Sequence, residues 1–232
     1  MKGNKNKQEF IEKIKNKVKS LVRERGIENI SDILNEIRQE YLEGIKNFAS
    51  DPEQSWKAFK GKLLEEIIMK EICYKLEKNG LKVIKGSELE KEDKNLDNCL
   101  ASVKRSLVVD FGEYGMHLPD ADIVIYEPKN CKALAIISSK ATLRERVAQV
   151  GYWYLKIKGS EITRNIRVFF ITLDEDGDLA ERNPAKKGRA IVEIDTDGTF
   201  VITNRKIDES DKVKTFDKFF DKFFETLKLL NL

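Results

Sequence analysis

Apolar residues along the chain recur first at helical and then at strand spacing. Phe10, Ile11, Ile14, Val18, Leu21 and Val22 form one helical stripe, and Gly26 ends it. Ser31 as N-cap, with Asp32 in the first turn, starts a second helix carrying Ile33, Leu34, Ile37, Tyr41 and Leu42. Asp51-Pro52 breaks the chain. A longer helix runs from about Gln54 to Lys78, with Trp56, Phe59, Leu63, Leu64, Ile67, Ile68 and Ile72 on a stripe wide enough to dock on a sheet. Asn79-Gly80 closes it. The period then shortens to two. Leu81 to Gly86 reads as a short strand, residues 87–100 as a polar loop or short helix, and Val103 to Val109 as a strand or helix end. Two β-branched runs, Ile123 to Tyr126 and Ala133 to Ile137, flank the polar turn Glu127-Pro128-Lys129-Asn130 and predict a β-hairpin. Thr142 caps a helix over Arg144 to Lys158, and Asn165 to Leu173 is a buried strand, so the chain crosses back onto one sheet. Ala190 to Asp195 and Thr199 to Thr203, about Thr196-Asp197-Gly198, predict a second hairpin. Phe216, Phe219, Phe220, Phe223, Phe224, Leu227 and Leu230 predict an aromatic helix for packing or for a share in a dimer interface. The fold expected is α/β, a mixed sheet with helices on both faces and an N-terminal helical annex over residues 1–50.

The hairpin carries the chemistry. In antiparallel strands the start of one lies beside the end of the next, so Asp120 and Lys140 are expected to meet at one end of the sheet. Alternation places Ile137 and Ser139 on one face, Ser138 and Lys140 on the other. A carboxylate there can hold a divalent cation such as Mg²⁺, which takes oxygen ligands and keeps several waters. The cation polarises a phosphate and lowers the pKa of a bound water, and the lysine orients that water and offsets negative charge. The structural alternative is an exposed strand-end ion pair, contributing about 0–1 kcal/mol. Asp122 shares a face with Asp120 and competes for the acid role; Asp120 is preferred because it follows Pro119 and opens the strand.

Composition narrows the class. Hydrophobic residues make up 41% of 232 and charged residues 36%, a globular protein with a heavily charged surface. Net charge is only +3, which permits a nucleic-acid binder without demanding one. Cys73, Cys99 and Cys131 lack C-x-x-C spacing, so neither a zinc site nor a disulfide framework is expected, and a reducing cytoplasm is the natural compartment. The single His117 excludes multi-histidine metal sites. No apolar run is long enough for a membrane span, and no signal peptide is expected.

Pro119-Asp120, an apolar strand and then Ser138-Ser139-Lys140 resemble the PD-(D/E)XK nuclease motif. Lys140 to Gln149, with Arg144-Glu145-Arg146 at its centre, is similar to a helix start of type II restriction endonucleases of the EcoRII-like and BsaWI-like branch, whose sites contain CC and GG steps. The resemblance spans about residues 55–175 and assigns 51–232 to the nuclease domain. Ser138 departs from it, because a serine cannot replace the motif's middle carboxylate. In this superfamily an early helix often carries a glycine and then an acid that points at the metal. Gly61 and Glu65 match, so the resemblance makes Glu65 the missing carboxylate, with Glu66, Asp110 and Glu113 as weaker choices. His117 is expected to be a structural hydrogen bonder. Arginine forks bind guanine O6 and N7, and glutamate accepts from cytosine N4, so Arg144, Glu145 and Arg146 can read G·C pairs, with Gln149 adding a polar contact. Arg182, Lys186, Lys187 and Arg189 are expected near phosphates.

Together these give a Mg²⁺-dependent type II restriction endonuclease. The resemblance implies cutting of double-stranded DNA at a short, G/C-containing site, with Asp120, Lys140 and Glu65 expected as the catalytic residues. Palindromic sites pair with two-fold protein symmetry, so a homodimer is expected. The alternatives are a structure-specific or repair nuclease of the same fold, a catalytically inactive DNA-binding module, and an adaptor using its aromatic tail.

Overall fold

The computed structural model describes residues 2–143 and 146–228, with side chains from residue 5. Two helices, α1 (Lys2–Arg25) and α2 (Ile30–Ile45), open the chain. Between them Gly26 has φ 90°, a backbone conformation that L side chains rarely adopt, so the reversal favours glycine. The second helix begins at Ile30, ahead of the expected Ser31 cap, and its preceding Asn29 makes no capping bond. Helix α3 (Pro52–Glu77) has a full N-terminal signal: proline in the first turn, and Asp51 Oδ1 accepting from Gln54 N at 2.9 Å. Its apolar residues bury on two sides. One continuous cluster joins Ile14 and Val18 of α1, Ile33 and Tyr41 of α2, Leu63 and Ile67 of α3, and Ile123 and Ile137 of the sheet.

The sheet has six strands in the order β1-β4-β5-β6-β7-β8: β1 (Lys82–Lys85), β4 (Ile123–Glu127), β5 (Lys132–Lys140), β6 (Arg167–Thr172), β7 (Gly198–Val201) and β8 (Val213–Thr215). Pairs β1/β4 and β4/β5 are antiparallel; β5/β6, β6/β7 and β7/β8 are parallel. It is the mixed sheet expected, flanked by helices. Helix α6 (Arg146–Lys158) links β5 to β6. The expected alternation holds: Ile137 joins the α3 core, whereas Ile136 packs on the opposite face with α5 (Asn98–Leu107) and Ile157 of α6. A short helix α4 (Gly86–Leu89) follows β1, and a two-stranded ribbon, β2 (Val109–Asp110) with β3 (Met116–His117), leads into the hairpin. The C-terminal helix α8 (Phe219–Lys228) packs Phe219 edge-to-face and Phe223 tilted against Phe169 of β6, which is the packing role. No described helix is long and apolar enough to cross a membrane.

Three expectations are corrected here. Ala190 to Ile194 is not a strand but part of helix α7 (Lys187–Ile194), and β7 pairs with β6 in parallel. A short apolar run is ambiguous between the two states. Arg189 decides it: fully buried, it pairs with Glu193 one turn on at 2.8 Å and donates to the carbonyls of Leu179 and Asp208. Arg189 is therefore spent on the fold and is not available to phosphates. Cys99 and Cys131 form a disulfide, their Cα atoms 5.0 Å apart. They are 32 residues apart in sequence, but the hairpin turn returns Cys131 to the first turn of α5.

A carboxylate in the loop before β8 predicts an acid-sensitive spot. Glu209 accepts from Thr215 N at 3.0 Å, from Thr215 Oγ1 and from Lys218. Burial alone would raise its pKa, but these donors outweigh it and pull the carboxyl down to about 2. A depressed folded-state value gives stability that is present above the unfolded pKa of about 4.3 and lost as pH falls towards 2. Glu209→Gln should therefore lower the denaturation midpoint modestly at pH 7 and flatten its fall between pH about 4 and 2, where the two proteins converge; the effect is small because solvent screens the part-exposed network.

Candidate active site

The hairpin brings an acid and a lysine together at the C-terminal rim of the parallel strands. Pairing between β4 and β5 stops at Ile123, and the chain bends at Asp122. Asp122 is pinned by its backbone: its N–H donates to Ile137 O at 3.0 Å, and its carbonyl accepts from Gly86 N at 3.0 Å. Gly86 is required for this approach, because a Cβ there would stand 1.8 Å from Ala121 O. The Asp122 side chain is also fixed. Oδ2 accepts from Ser139 N at 2.6 Å and from Lys140 Nζ at 2.8 Å, and Oδ1 lies 3.2 Å from the same ammonium. The Lys140 and Asp122 side chains are only 15% and 20% exposed, unlike a solvated strand-end pair.

The acid against Lys140 is thus Asp122. The strand ladder ends too early for Asp120 to lie opposite Lys140, and the bend turns Asp120 towards α6. There its carboxylate accepts a hydrogen bond from Gln149 Nε2. The Ser138 hydroxyl donates to Asp120 O at 3.4 Å, a neutral contact that supplies no anionic ligand. Asp120, Asp122, Ser138 and Lys140 nevertheless converge on one rim of one face.

Glu65 approaches from the opposite face. It sits on α3, and its Oε1 is 3.3 Å from Lys85 Nζ. Lys85 ends β1 opposite Ile123, next to Asp122. Glu66 is committed elsewhere, bonded to Lys15 at 2.7 Å and Lys19 at 3.0 Å of α1. Burial pushes its pKa up, but the two ammonium groups lower it overall, so it fastens α1 to α3 as an anion. Asp110 Oδ1 accepts from Gly112 N at 2.7 Å and shapes a turn. His117 Nε2 lies 2.9 Å from Tyr114 O, with its ring edge on Phe111, the structural role expected of it. Arg146 is exposed at the start of α6. Arg144 and Glu145 lie outside the described residues. Sequence reasoning missed Lys85 and Gly86; a lysine ending a strand and followed by glycine was the available signal.

Among the described residues no three His, Cys, Asp or Glu side chains form a ready metal cluster. The donor set still suits a hard cation. The rim offers carboxylate oxygens and no imidazole or thiolate, and Mg²⁺ is commonly held by one or two carboxylates plus waters. Asp122 uses three acceptor positions, and a carboxylate has about four.

A mixed sheet with an acid–lysine pair at one rim is the arrangement that the resemblance to PD-(D/E)XK nucleases led one to expect. A family model described as BsaWI restriction endonuclease type 2 matches residues 99–223. The chain is 35% identical over 220 residues to a Methanocaldococcus jannaschii protein assigned as the type II restriction enzyme MjaVIP, covering 88% of this chain and 96% of that one. It is 39% identical over 131 residues to a Helicobacter pylori protein assigned as the type II restriction enzyme HpyAORF263P, covering 54% of this chain and 64% of that one. Among solved structures, the restriction endonuclease PspGI in complex with substrate DNA superimposes with TM-score 0.49 at 16% identity, over 93% of this chain and 80% of that one. The chain belongs to the BsaWI family of type II restriction endonucleases.

Proposed function

We propose that this protein hydrolyses double-stranded DNA at a short, G/C-containing sequence, with Mg²⁺ as cofactor. The observation that carries this reading is the largely buried Asp122–Lys140 pair, held on the rim immediately before the chain enters α6. Asp122 and Asp120 would hold the ion, with Glu65 contributing from α3. Bound there, Mg²⁺ supplies polarisation of the phosphate and a water acidic enough to attack it. Asp122 enters already oriented by Ser139 N and needs no rearrangement. Lys140 places its ammonium beside the attacking water and the developing phosphorane charge. Lys85 holds Glu65 until a cation competes for it. Arg144, Glu145 and Arg146 read base edges in the major groove. The enzyme acts as a homodimer in the cytoplasm, two copies placing two rims on a two-fold-symmetric site.

Plasmid DNA incubated with the protein and Mg²⁺ should give discrete fragments, and excess chelator should leave it intact. A smear or nicked circles would favour a structure-specific or repair nuclease, and retardation without cutting would favour an inactive binding module.

A further inference from the structure

Gln149 stands between the two halves of this site. It lies one turn into α6, three residues after Arg146, so it shares that helix face with the end of the base-reading segment. Its Nε2 donates to Asp120 Oδ2. A carboxylate can only accept, so the partner fixes which end of the amide faces the acid and leaves Oε1 pointing away from it. Among the described residues Oε1 has no hydrogen-bond partner. The two acids differ in how they are held. Asp122 is fixed by Ser139 N and Lys140 whatever else happens. Asp120 is itself exposed, between buried Pro119 and half-buried Ala121, and among the described residues Gln149 is the side chain that bonds its carboxylate.

We propose that Gln149 is a positioning residue that couples base recognition to the placement of Asp120, so that discrimination is exercised in the cleavage step. This rests on the endonuclease reading above. One of the two Nε2 hydrogens is given to Asp120, which leaves Oε1 and the second N–H for a base edge. Oε1 can accept from a base presenting an amino group in the major groove, cytosine N4 or adenine N6. A wrong base at that position withdraws the amide, the Asp120 carboxylate loses its orientation, and cutting slows although the duplex stays bound.

The test compares wild type, Gln149→Ala and Gln149→Glu. Each is measured in single-turnover cleavage with Mg²⁺, and in binding without metal, on the cognate duplex and on single-base variants. Gln149 is exposed, so the fold tolerates both changes, and a thermal melt checks this. Both variants should cut the cognate duplex about a hundredfold more slowly, as a misplaced catalytic group costs. They should need more Mg²⁺ for half-maximal rate and bind DNA within about threefold of wild type. The rate preference at one base pair should collapse. Gln149→Glu matters because it keeps shape but cannot donate to Asp120. Unchanged rate and Mg²⁺ dependence in either variant, or a loss explained by weaker binding alone, overturns the coupling. A wild-type protein that leaves every duplex intact overturns the endonuclease reading and the coupling with it. A cutting wild type whose discrimination survives Gln149→Ala overturns the coupling alone.

Discussion

Lys140→Ala should lower the single-turnover rate of DNA cleavage by at least about 10²–10³-fold while leaving duplex binding intact. The ammonium is a preorganised charge, held 2.8 Å from Asp122 in a largely buried pair, and removing one such donor from an active site typically costs that much. The binding residues proposed, Arg144 to Arg146, lie beyond it in sequence and do not depend on it. Wild-type cutting by Lys140→Ala would remove this lysine from the mechanism. Folding should suffer little, because Asp122 keeps its bond from Ser139 N and is within reach of water.

Asp122→Asn should be nearly as inactive, by about 10³-fold, through loss of an anionic ligand. It should also fold normally, since the amide oxygen can still accept from Ser139 N. Asp122→Ala should lose the same activity and in addition about 1–3 kcal/mol of stability, because a buried backbone N–H and an ammonium then lose their acceptor. Urea denaturation of the two variants separates these effects. Asp120→Asn is expected to be less damaging, as the amide can still accept from Gln149. If Asp120→Asn were inactive and Asp122→Asn cut at the wild-type rate, the two acids would exchange roles.

The hairpin was legible because period-two alternation, a polar turn and buried β-branched residues all agree. The long helix α3 was legible because Asp51-Pro52 and Asn79-Gly80 bracket a continuous apolar stripe. The acid in contact with Lys140 was less so. Asp120 and Asp122 share a face, and only the bend at Asp122, set by Gly86 and the end of the ladder, decides which reaches the lysine. Helix α7 was misread because six residues carry too little periodicity. What holds it is a buried Arg189 bonded to carbonyls 10 and 19 residues away in sequence, which no local pattern contains. The Cys99–Cys131 pairing likewise depends on where the hairpin turn lands.

Sequencing the ends of fragments released from a large DNA by wild-type protein and Mg²⁺ tests the central claim most directly. The account predicts that every end carries the same short sequence, with G·C pairs in it, and that no ends form with Lys140→Ala. Ends scattered without a common sequence, or the same ends from Lys140→Ala, would contradict it.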